Sequence, residues 1–488
     1  MYLAKFDPNY TEFILLSFEG PDPYAQAGGL GVRVANLAYA LAGHGYRTHV
    51  FFIGDPDKPG YEEQIDGRLI LHRWCQWISA YYPWGVYDGE EDKLRDYTIS
   101  VPAFIVDEIA GPAAARGKRL VVLAEDWHMA GSVIELSDRL YRAGLRKYAV
   151  LLWNANNTMG FERIDWNRLG FVSTLTTVSR YMKQLMRTMN LDPLVIPNGI
   201  PSNLFDPLPK SVVTAIRQGL DCDENLLMFK VGRFDPAKNW GVAVEATARL
   251  KQEGERVAFL IRGGIEPYGL EVLQKARDLG LVVKDVDGKP DNWQEALDLI
   301  RSNRPADIFN LRFFMPQLIL RPFYASADII LANSLHEPFG LVGLEAMAVG
   351  GIVFTGSTGE MYSFDGVSAL SLDTDQAEEI VMHVRNMKAQ PKRAETLRQA
   401  ARQMALRFTW DNVLSVLFEK IILAAYQQKT EPFRFLEAPP IPKAVPLDSK
   451  RPAERYKSTM FREPPKTPHS MQPAGHRKKT SKMEFLIR

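Results

Sequence analysis

Residues 333–350 read NSLHEPFGLVGLEAMAVG and follow an apolar run, ADIIL, that predicts a buried strand. A short loop then leads into residues 341–348, whose pattern predicts a helix. Glu337 lies in the loop and Glu345 in the opening turns of the helix, with seven residues between them. A helix N-terminus suits a phosphate, and this corner of an open α/β sheet is where ligands bind. The two carboxylates can accept hydrogen bonds from sugar and ribose hydroxyls, although two solvated glutamates on an amphipathic helix would show the same spacing.

The composition places the chain among soluble globular proteins. Its 488 residues suffice for about two or three domains, and 46% hydrophobic with 24% charged residues is ordinary. A net charge of +1 argues against a nucleic-acid binder. Cys75 and Cys222 show no C-x-x-C spacing, which fits a reducing compartment and no metal or redox pair. The start has no signal pattern and no apolar run reaches the roughly 20 residues that span a bilayer, so we predict a cytoplasmic protein.

The full string at 333–350 resembles the signature of retaining GT-B glycosyltransferases, the GT4 and glycogen-synthase-like group. The resemblance implies an α/β fold in which two Rossmann-like domains face each other across a cleft. It also implies that Glu345 binds the ribose hydroxyls and Glu337 the sugar hydroxyls. The backbone of Phe339, Gly340 and Leu341 would then bind the sugar or phosphate.

A glycine pair marks the first strand–loop–helix unit, where a strand at 13–17 is followed by EGPDPYAQAGGLG. Gly28 and Gly29 would let the backbone approach a donor diphosphate closely, although a tight turn explains the pair equally well. There is no G-x-G-x-x-G, so a dinucleotide site is not favoured. The loop resembles the K-x-G-G-L loop of glycogen and starch synthases, but Gln26 replaces the lysine. That departure argues against a glycogen synthase that uses ADP-glucose and favours the broader GT4 group.

Two further strand ends in the first half carry polar residues. His128 stands in a D-W-H string that resembles the one in glycogen-synthase-like enzymes, which implies that it faces the transferred sugar; a purely structural histidine is the alternative. Asn154 ends another predicted strand, and its amide suits an acceptor hydroxyl, although asparagine is also a common turn residue. The many aromatic residues at 72–104 either stack on sugar rings or pack in the core.

The second half opens with a strand, a loop GRFDPAKN and a helix pattern. Arg233 and Lys238 lie in that loop, and fixed cations of this kind stabilise the negative charge that develops on a leaving diphosphate. The string G-R-x-x-x-x-K resembles the donor-phosphate motif of GT-B enzymes. A later loop with Thr358, Gly359 and Glu360 is expected, by the same resemblance, near the donor sugar. Residues 280–312 show no pattern that assigns them.

The resemblance covers roughly residues 13–428, and the remainder differs in composition. We predict an acceptor domain at 1–200, a nucleotide-sugar domain at 201–407, a helix at 408–430 that crosses back to the first domain, and a disordered tail at 431–488. Residues 439–488 hold nine prolines and twelve Lys or Arg against four Asp or Glu, so they cannot bury a core. Such a tail is either a passive solubilising segment or a weak contact for a membrane or an acidic partner.

The resemblance, together with these patterns, implies a retaining hexosyltransferase. It would move a sugar, a hexose such as glucose, from a nucleotide diphosphate sugar to an acceptor hydroxyl. Since no carboxylate is placed as a nucleophile, we expect front-side departure assisted by the donor phosphate. No cofactor or metal is expected, and the partners are the nucleotide sugar and the acceptor. An α-glucan synthase would share every motif, and a non-catalytic scaffold that binds through the tail is the alternative of a different class.

Overall fold

The computed structural model describes residues 5–356 and 361–436. The predictions made for Thr358, Gly359 and Glu360, and for the tail beyond residue 436, lie outside these ranges. Within them the chain forms two large sheets, each covered by helices, as the predicted α/β fold requires.

The first sheet has eight strands in the order β3-β4-β2-β1-β5-β6-β7-β8, and all neighbours are parallel except β3 and β4. Its strands are β1 (Thr11–Leu16), β2 (Arg47–Ile53), β3 (Tyr61–Gln64), β4 (Leu69–Trp74), β5 (Arg119–Glu125), β6 (Ala149–Ala155), β7 (Thr174–Thr177) and β8 (Leu194–Val195). The residues of β1 and β6 are buried throughout. Central strands covered on both faces read as continuous apolar runs for this reason.

Seven helices accompany this sheet: α1 (Gly29–Gly43), α2 (Gln76–Ser79), α3 (Glu90–Phe104), α4 (Gly111–Ala115), α5 (Ala130–Arg142), α6 (Trp166–Val172) and α7 (Arg180–Arg187). A π-helical segment, Ile105–Ala110, joins α3 to α4. Of the part of the chain that the structure describes, the joined segment Glu90–Ala115 alone is long and apolar enough to cross a membrane by length and composition. Tyr97, Val101 and Phe104 on this segment are buried in the protein core. A helix of a protein core can be as long and as apolar as one that crosses a membrane.

The second sheet has seven parallel strands in the order β11-β12-β10-β9-β13-β14-β15. They are β9 (Leu226–Val231), β10 (Val257–Arg262), β11 (Val283–Val286), β12 (Ile308–Leu311), β13 (Ile329–Ala332), β14 (Val353–Thr355) and β15 (Leu370–Ser371). The helices are α8 (Lys210–Gly219), α9 (Trp240–Gln252), α10 (Tyr268–Asp278), α11 (Trp293–Ser302), α12 (Gln317–Ser326), α13 (Leu341–Ala348), α14 (Ala377–Ala389) and α15 (Pro391–Leu406).

Both sheets reverse their strand order at an inner strand. In the first sheet β1 lies between β2 and β5, and in the second β9 lies between β10 and β13. Successive helices therefore pass to opposite faces on either side of that strand, which leaves a crevice at the carboxyl ends. The positions at which each sheet can hold a ligand follow from this order.

The last helix, α16 (Trp410–Gln427), returns to the first sheet. Its Phe418 ring lies 5.2 Å from that of Phe6 and 6.3 Å from that of Phe13 on β1. Just beyond its end, the Gln428 amide donates to the Leu151 carbonyl on β6 at 2.8 Å. The helix thus completes the core of the first half.

Two histidines share the interior of the first sheet. His49 Nδ1 on β2 lies 3.0 Å from His72 Nε2 on β4, and both side chains are buried. Burial lowers the pKa of His72 to about 3 and that of His49 well below its ordinary value. The His72 ring is stacked on Phe51 at 4.2 Å. Both rings are therefore neutral in the folded protein.

This pair should make the protein sensitive to acid. The unfolded chain binds protons at these two histidines, whereas the buried rings in the folded protein do not. Their contribution to the free energy of unfolding is therefore fully present above about pH 6.5 and decreases as the pH falls towards 3. At pH 5 His72 alone should cost about 2 kcal/mol of the free energy of unfolding, which urea titrations at pH 7.5 and 5 would measure.

The double variant His49→Leu/His72→Phe should lose less stability between these pH values than the wild type. The matched control is His44→Gln, which removes a histidine paired with Asp411 near the surface and should not reduce the acid loss. Equal losses in the wild type and the double variant would contradict the assignment.

Candidate functional site

The four sequence motifs follow the strands at which the order reverses. The glycine loop follows β1 and the D-W-H string follows β5. In the second sheet, the G-R-x-x-x-x-K loop follows β9 and the E-x7-E loop follows β13. Since carboxyl ends of parallel strands meet at one edge, each pair of motifs lies together.

The two loops of the second sheet are joined directly. Lys238 Nζ forms an ion pair with Glu337 Oε2, and the Ser334 hydroxyl donates to the same carboxylate at 3.2 Å. The backbone N–H of Leu335 donates to the Ala237 carbonyl at 2.7 Å. The predicted phosphate cation and the predicted sugar carboxylate are thereby neighbours.

Arg233 lies at the start of the same loop. The indole N–H of Trp240 donates to the Arg233 carbonyl at 2.8 Å and so fixes its backbone. Its side chain is exposed and, within residues 5–356 and 361–436, has no ion-pair or hydrogen-bond partner. The guanidinium is therefore available to an anion.

A left-handed glycine sets the entry to α13. Gly340 has a φ of +86°, a conformation that side chains rarely adopt, and the Tyr362 hydroxyl donates to its carbonyl. Phe339 is buried with its ring 5.8 Å from that of Tyr362, and Leu341 begins the helix. The predicted backbone segment thus lies at the N-terminus of α13.

Glu345 is buried within α13. Burial raises its pKa to about 7, against the opposing effect of a hydrogen bond from the Gln317 side chain on α12. Tyr324 on α12 also lies close enough for Glu345 to raise its pKa, beyond the larger effect of burial. Near neutral pH the carboxyl therefore exists in both protonation states.

Sequence analysis missed Lys230, which is only 2% exposed near the end of β9. Its Nζ donates to Asn333 Oδ1, and lies 3.4 Å from the Leu331 carbonyl and 5.0 Å from the centre of the Trp240 ring. The sequence signal that could have identified it is a charged residue in an otherwise apolar strand, just before the G-R motif.

In the first domain, the carboxylate of Glu19 binds the backbone N–H groups of the glycine loop. Glu19 Oε2 accepts the backbone N–H groups of Ala27 at 3.1 Å and of Gly28 and Gly31 at 3.0 Å each. A donor phosphate at Gly28 would have to displace Glu19. Glu19 was also missed, because its role depends on where the loop folds back.

His128 is buried beside this loop. Its Nε2 lies 2.6 Å from Glu90 Oε1, and its ring is stacked on Phe18 at 4.2 Å. The hydroxyl of Tyr87 donates to Glu19 Oε1 at 2.7 Å and its ring lies 5.7 Å from that of His128. Burial lowers the pKa of His128, while the hydrogen bond to Glu90 acts in the opposite direction.

Asn154 is engaged within the chain. Its amide donates to Glu125 Oε2 at 2.8 Å and its oxygen accepts from the Thr176 hydroxyl at 3.0 Å. Glu125 is in turn paired with the buried Arg33 of α1 at 3.1 Å. In this arrangement Asn154 holds the Glu125–Arg33 pair in place.

Asp126 is a further residue that sequence analysis passed over. It has a φ of +62°, rare for a non-glycine residue, and its Oδ1 accepts the Asn156 backbone N–H at 2.7 Å. Burial raises its pKa to about 7. Strained backbone held by its surroundings is frequent at functional sites.

The predicted site residues therefore form two sets. The second domain holds Arg233, Lys238, Glu337, Phe339, Gly340, Leu341 and Glu345, and the first holds Gly28, Gly29, His128 and Asn154. Among the described residues, no hydrogen bond or ion pair joins one set to the other.

Comparison with known proteins identifies the family. The family described as Glycosyl transferases group 1 matches residues 213–404. D-inositol 3-phosphate glycosyltransferase of Actinosynnema mirum is 30% identical over 432 residues, covering 84% of this chain and 94% of that enzyme.

Two solved structures share the fold. Sucrose-phosphate synthase from Thermosynechococcus elongatus superposes with a TM-score of 0.60 at 19% identity, over 86% of this chain and 99% of that one. Anabaena HepE in complex with UDP-glucose superposes with a TM-score of 0.56 at 16% identity, over 84% and 99%. The predicted GT-B fold is confirmed. With a relative that is 30% identical over nearly its whole length, the chain belongs to the group 1 glycosyl transferases and is a glycosyltransferase.

Proposed function

We propose that this protein transfers a hexose such as glucose from a nucleoside diphosphate sugar to an acceptor hydroxyl with retention of configuration. The observation that carries the proposal is the junction of the two loops after β9 and β13. There Lys238 pairs with Glu337, and the exposed Arg233 of the same loop has no side-chain partner among the described residues. Cations for a diphosphate and a carboxylate for sugar hydroxyls occur at one corner.

Arg233 and Lys238 act on the leaving group. As the bond between the anomeric carbon and the diphosphate breaks, negative charge accumulates on the phosphate oxygens, and fixed cations stabilise it. Lys238 then exchanges part of its contact with Glu337 for the phosphate. The acceptor oxygen approaches the same face, and the departing phosphate oxygen takes its proton.

Glu337 and Glu345 hold the donor at its two ends. Glu337 accepts hydrogen bonds from sugar hydroxyls, and the backbone of Phe339, Gly340 and Leu341 lies against the sugar or phosphate. Glu345 binds the ribose hydroxyls in its ionised form. A carboxyl with a pKa of about 7 gains that form when hydroxyls donate to it.

The first domain would supply the acceptor side. His128 Nδ1 has no hydrogen-bond partner within the described part of the chain, and we assign it to a sugar hydroxyl that reaches this buried atom when the side chains around the ring move. Asn154 acts on the acceptor through the Glu125 network, and Gly28 and Gly29 border the donor. The relatives named D-inositol 3-phosphate glycosyltransferase make that phosphorylated polyol one acceptor to test.

No metal is required in this scheme, since two side-chain cations neutralise the diphosphate. The cytoplasm is the proposed compartment, because both cysteines are free and buried thiols. The proposed weak contact of the basic tail with a membrane or an acidic partner rests on composition alone.

A donor screen tests the proposal. One of ADP-glucose, GDP-glucose and UDP-glucose should raise the melting temperature and slowly release its diphosphate. A ligand at 100 times its Kd stabilises the folded state by about 2.7 kcal/mol. If none of the three shifts the melting temperature or is hydrolysed, the proposed activity is wrong.

Substitution of the donor corner should reduce turnover. Lys238→Ala is expected to lower kcat by about 10²–10³-fold, because one transition-state cation is lost. Glu337→Ala should abolish sugar turnover while leaving the nucleotide bound. Rates with the donor found in the screen would measure both effects.

The matched control is Lys251→Ala, since Lys251 forms an exposed pair with Asp307 in the same domain. Its activity and melting temperature should equal those of the wild type. Full activity in Lys238→Ala would refute the assigned role.

Removal of metal ions should not change the rate. The activity measured after dialysis against EDTA should match that of the untreated enzyme, because Arg233 and Lys238 carry the counter-charge. A loss of activity that Mg²⁺ or Mn²⁺ restores would show that the diphosphate needs a metal.

A further inference from the structure

Lys230 is a buried lysine beside the donor corner, and none of the roles above uses it. It lies on β9, with its Nζ bonded to Asn333 Oδ1 and 3.4 Å from the Leu331 carbonyl. Among the residues that the structure describes, no carboxylate lies within ion-pair distance of this amine. An uncompensated cation inside a protein is costly, so its presence requires an explanation.

The lysine connects the two donor loops through one side chain. Asn333 begins the E-x7-E loop, and its amide donates at 3.3 Å to the carbonyl of Asn239, which ends the G-R-x-x-x-x-K loop. Asn239 has a φ of +53° and leads directly into α9. The Trp240 ring lies 5.0 Å from the ammonium. A substitution of Lys230 would therefore alter the contacts that hold both loops in place.

The charges that face Lys230 do not neutralise it. Lys238 comes from the loop after β9 and Glu337 from the loop after β13, and these two already pair with each other. On the neighbouring β10, the residue opposite Lys230 is the uncharged Ile261. Burial lowers the pKa of Lys230 to about 7; Lys238 lowers it further and Glu337 opposes. The unliganded site therefore holds the amine in both protonation states.

We propose that Lys230 is a positioning residue of the donor site, which holds the E-x7-E loop through Asn333 and takes up a proton when the donor diphosphate binds. The inference rests on the proposed function. A diphosphate between Arg233 and Lys238 adds two negative charges close to the amine, which then gains the counter-charge that the free protein lacks. The proton comes from solvent.

Titration calorimetry in buffers of different ionisation enthalpy measures this proton. The probe is whichever of ADP-, GDP- or UDP-glucose binds in the screen, since the diphosphate of a nucleotide sugar does not itself titrate near neutral pH. At pH 8 Lys230 should take up a large fraction of one proton. At pH 6 its uptake should be almost zero, and the proton released by Glu345 should dominate the signal. Affinity should fall by up to about tenfold per pH unit above 7.

Three variants separate charge from structure. Lys230→Met should abolish the linked proton uptake, whereas Lys230→Arg should keep tight binding without uptake because arginine stays charged. Glu345→Gln removes the proton that Glu345 releases on binding ribose, and should leave the uptake by Lys230 in place. Lys251→Met is the control for loss of an exposed lysine, with the wild-type linkage expected.

The outcomes distinguish failure of the role proposed for Lys230 from failure of the proposed glycosyl transfer. Donor binding with equal proton uptake in the wild type and in Lys230→Arg overturns the role of Lys230 and leaves the proposed function standing. No binding of any nucleotide sugar by the wild type overturns both. If Lys230→Met does not fold, Lys230→Arg still decides the question.

Discussion

Reversal of strand order at β1 and β9 is the constraint from which the rest of the structure follows. A parallel sheet must be covered on both faces, so its connecting helices divide between them, and only one crevice per sheet remains uncovered. Polar loops that would be costly elsewhere can end there. Each sheet of this protein gathers two such loops, and the chemistry of each half follows from which residues these loops carry.

The cationic side chains near the two crevices differ in their partners. In the first half the two buried arginines beside the polar loops have carboxylate partners within the chain. Arg33 meets Glu125, and Arg73 meets Asp22 and Glu62. In the second half Arg233 has no partner among the described residues, and Lys230 has no counter-ion there. Positive charge without a carboxylate partner thus occurs at the corner where an anionic donor is proposed to bind.

Sequence patterns predicted what local rules determine. The strands and helices around the four motifs follow from apolar runs, glycine positions and a family resemblance, whereas the ion pair of Lys238 with Glu337 is a finding of the structure. The way a loop folds back on itself, and elements with mixed polar and apolar patterns, did not show in the sequence. Glu19 reaches back to Gly28 and Gly31, and residues 280–312, unassigned from sequence, form β11, α11 and β12. The lysine on β9 was hidden by the apolar strand around it.

The return of α16 also bears on how the chain acquires its structure. Phe6 and Phe13 are synthesised about 400 residues before their partner Phe418 on α16. Throughout synthesis of the second half, the apolar face of the first sheet stays without its cover, and newly made chains with such faces are prone to aggregate. The core of the first domain is therefore complete only after α16 has been synthesised.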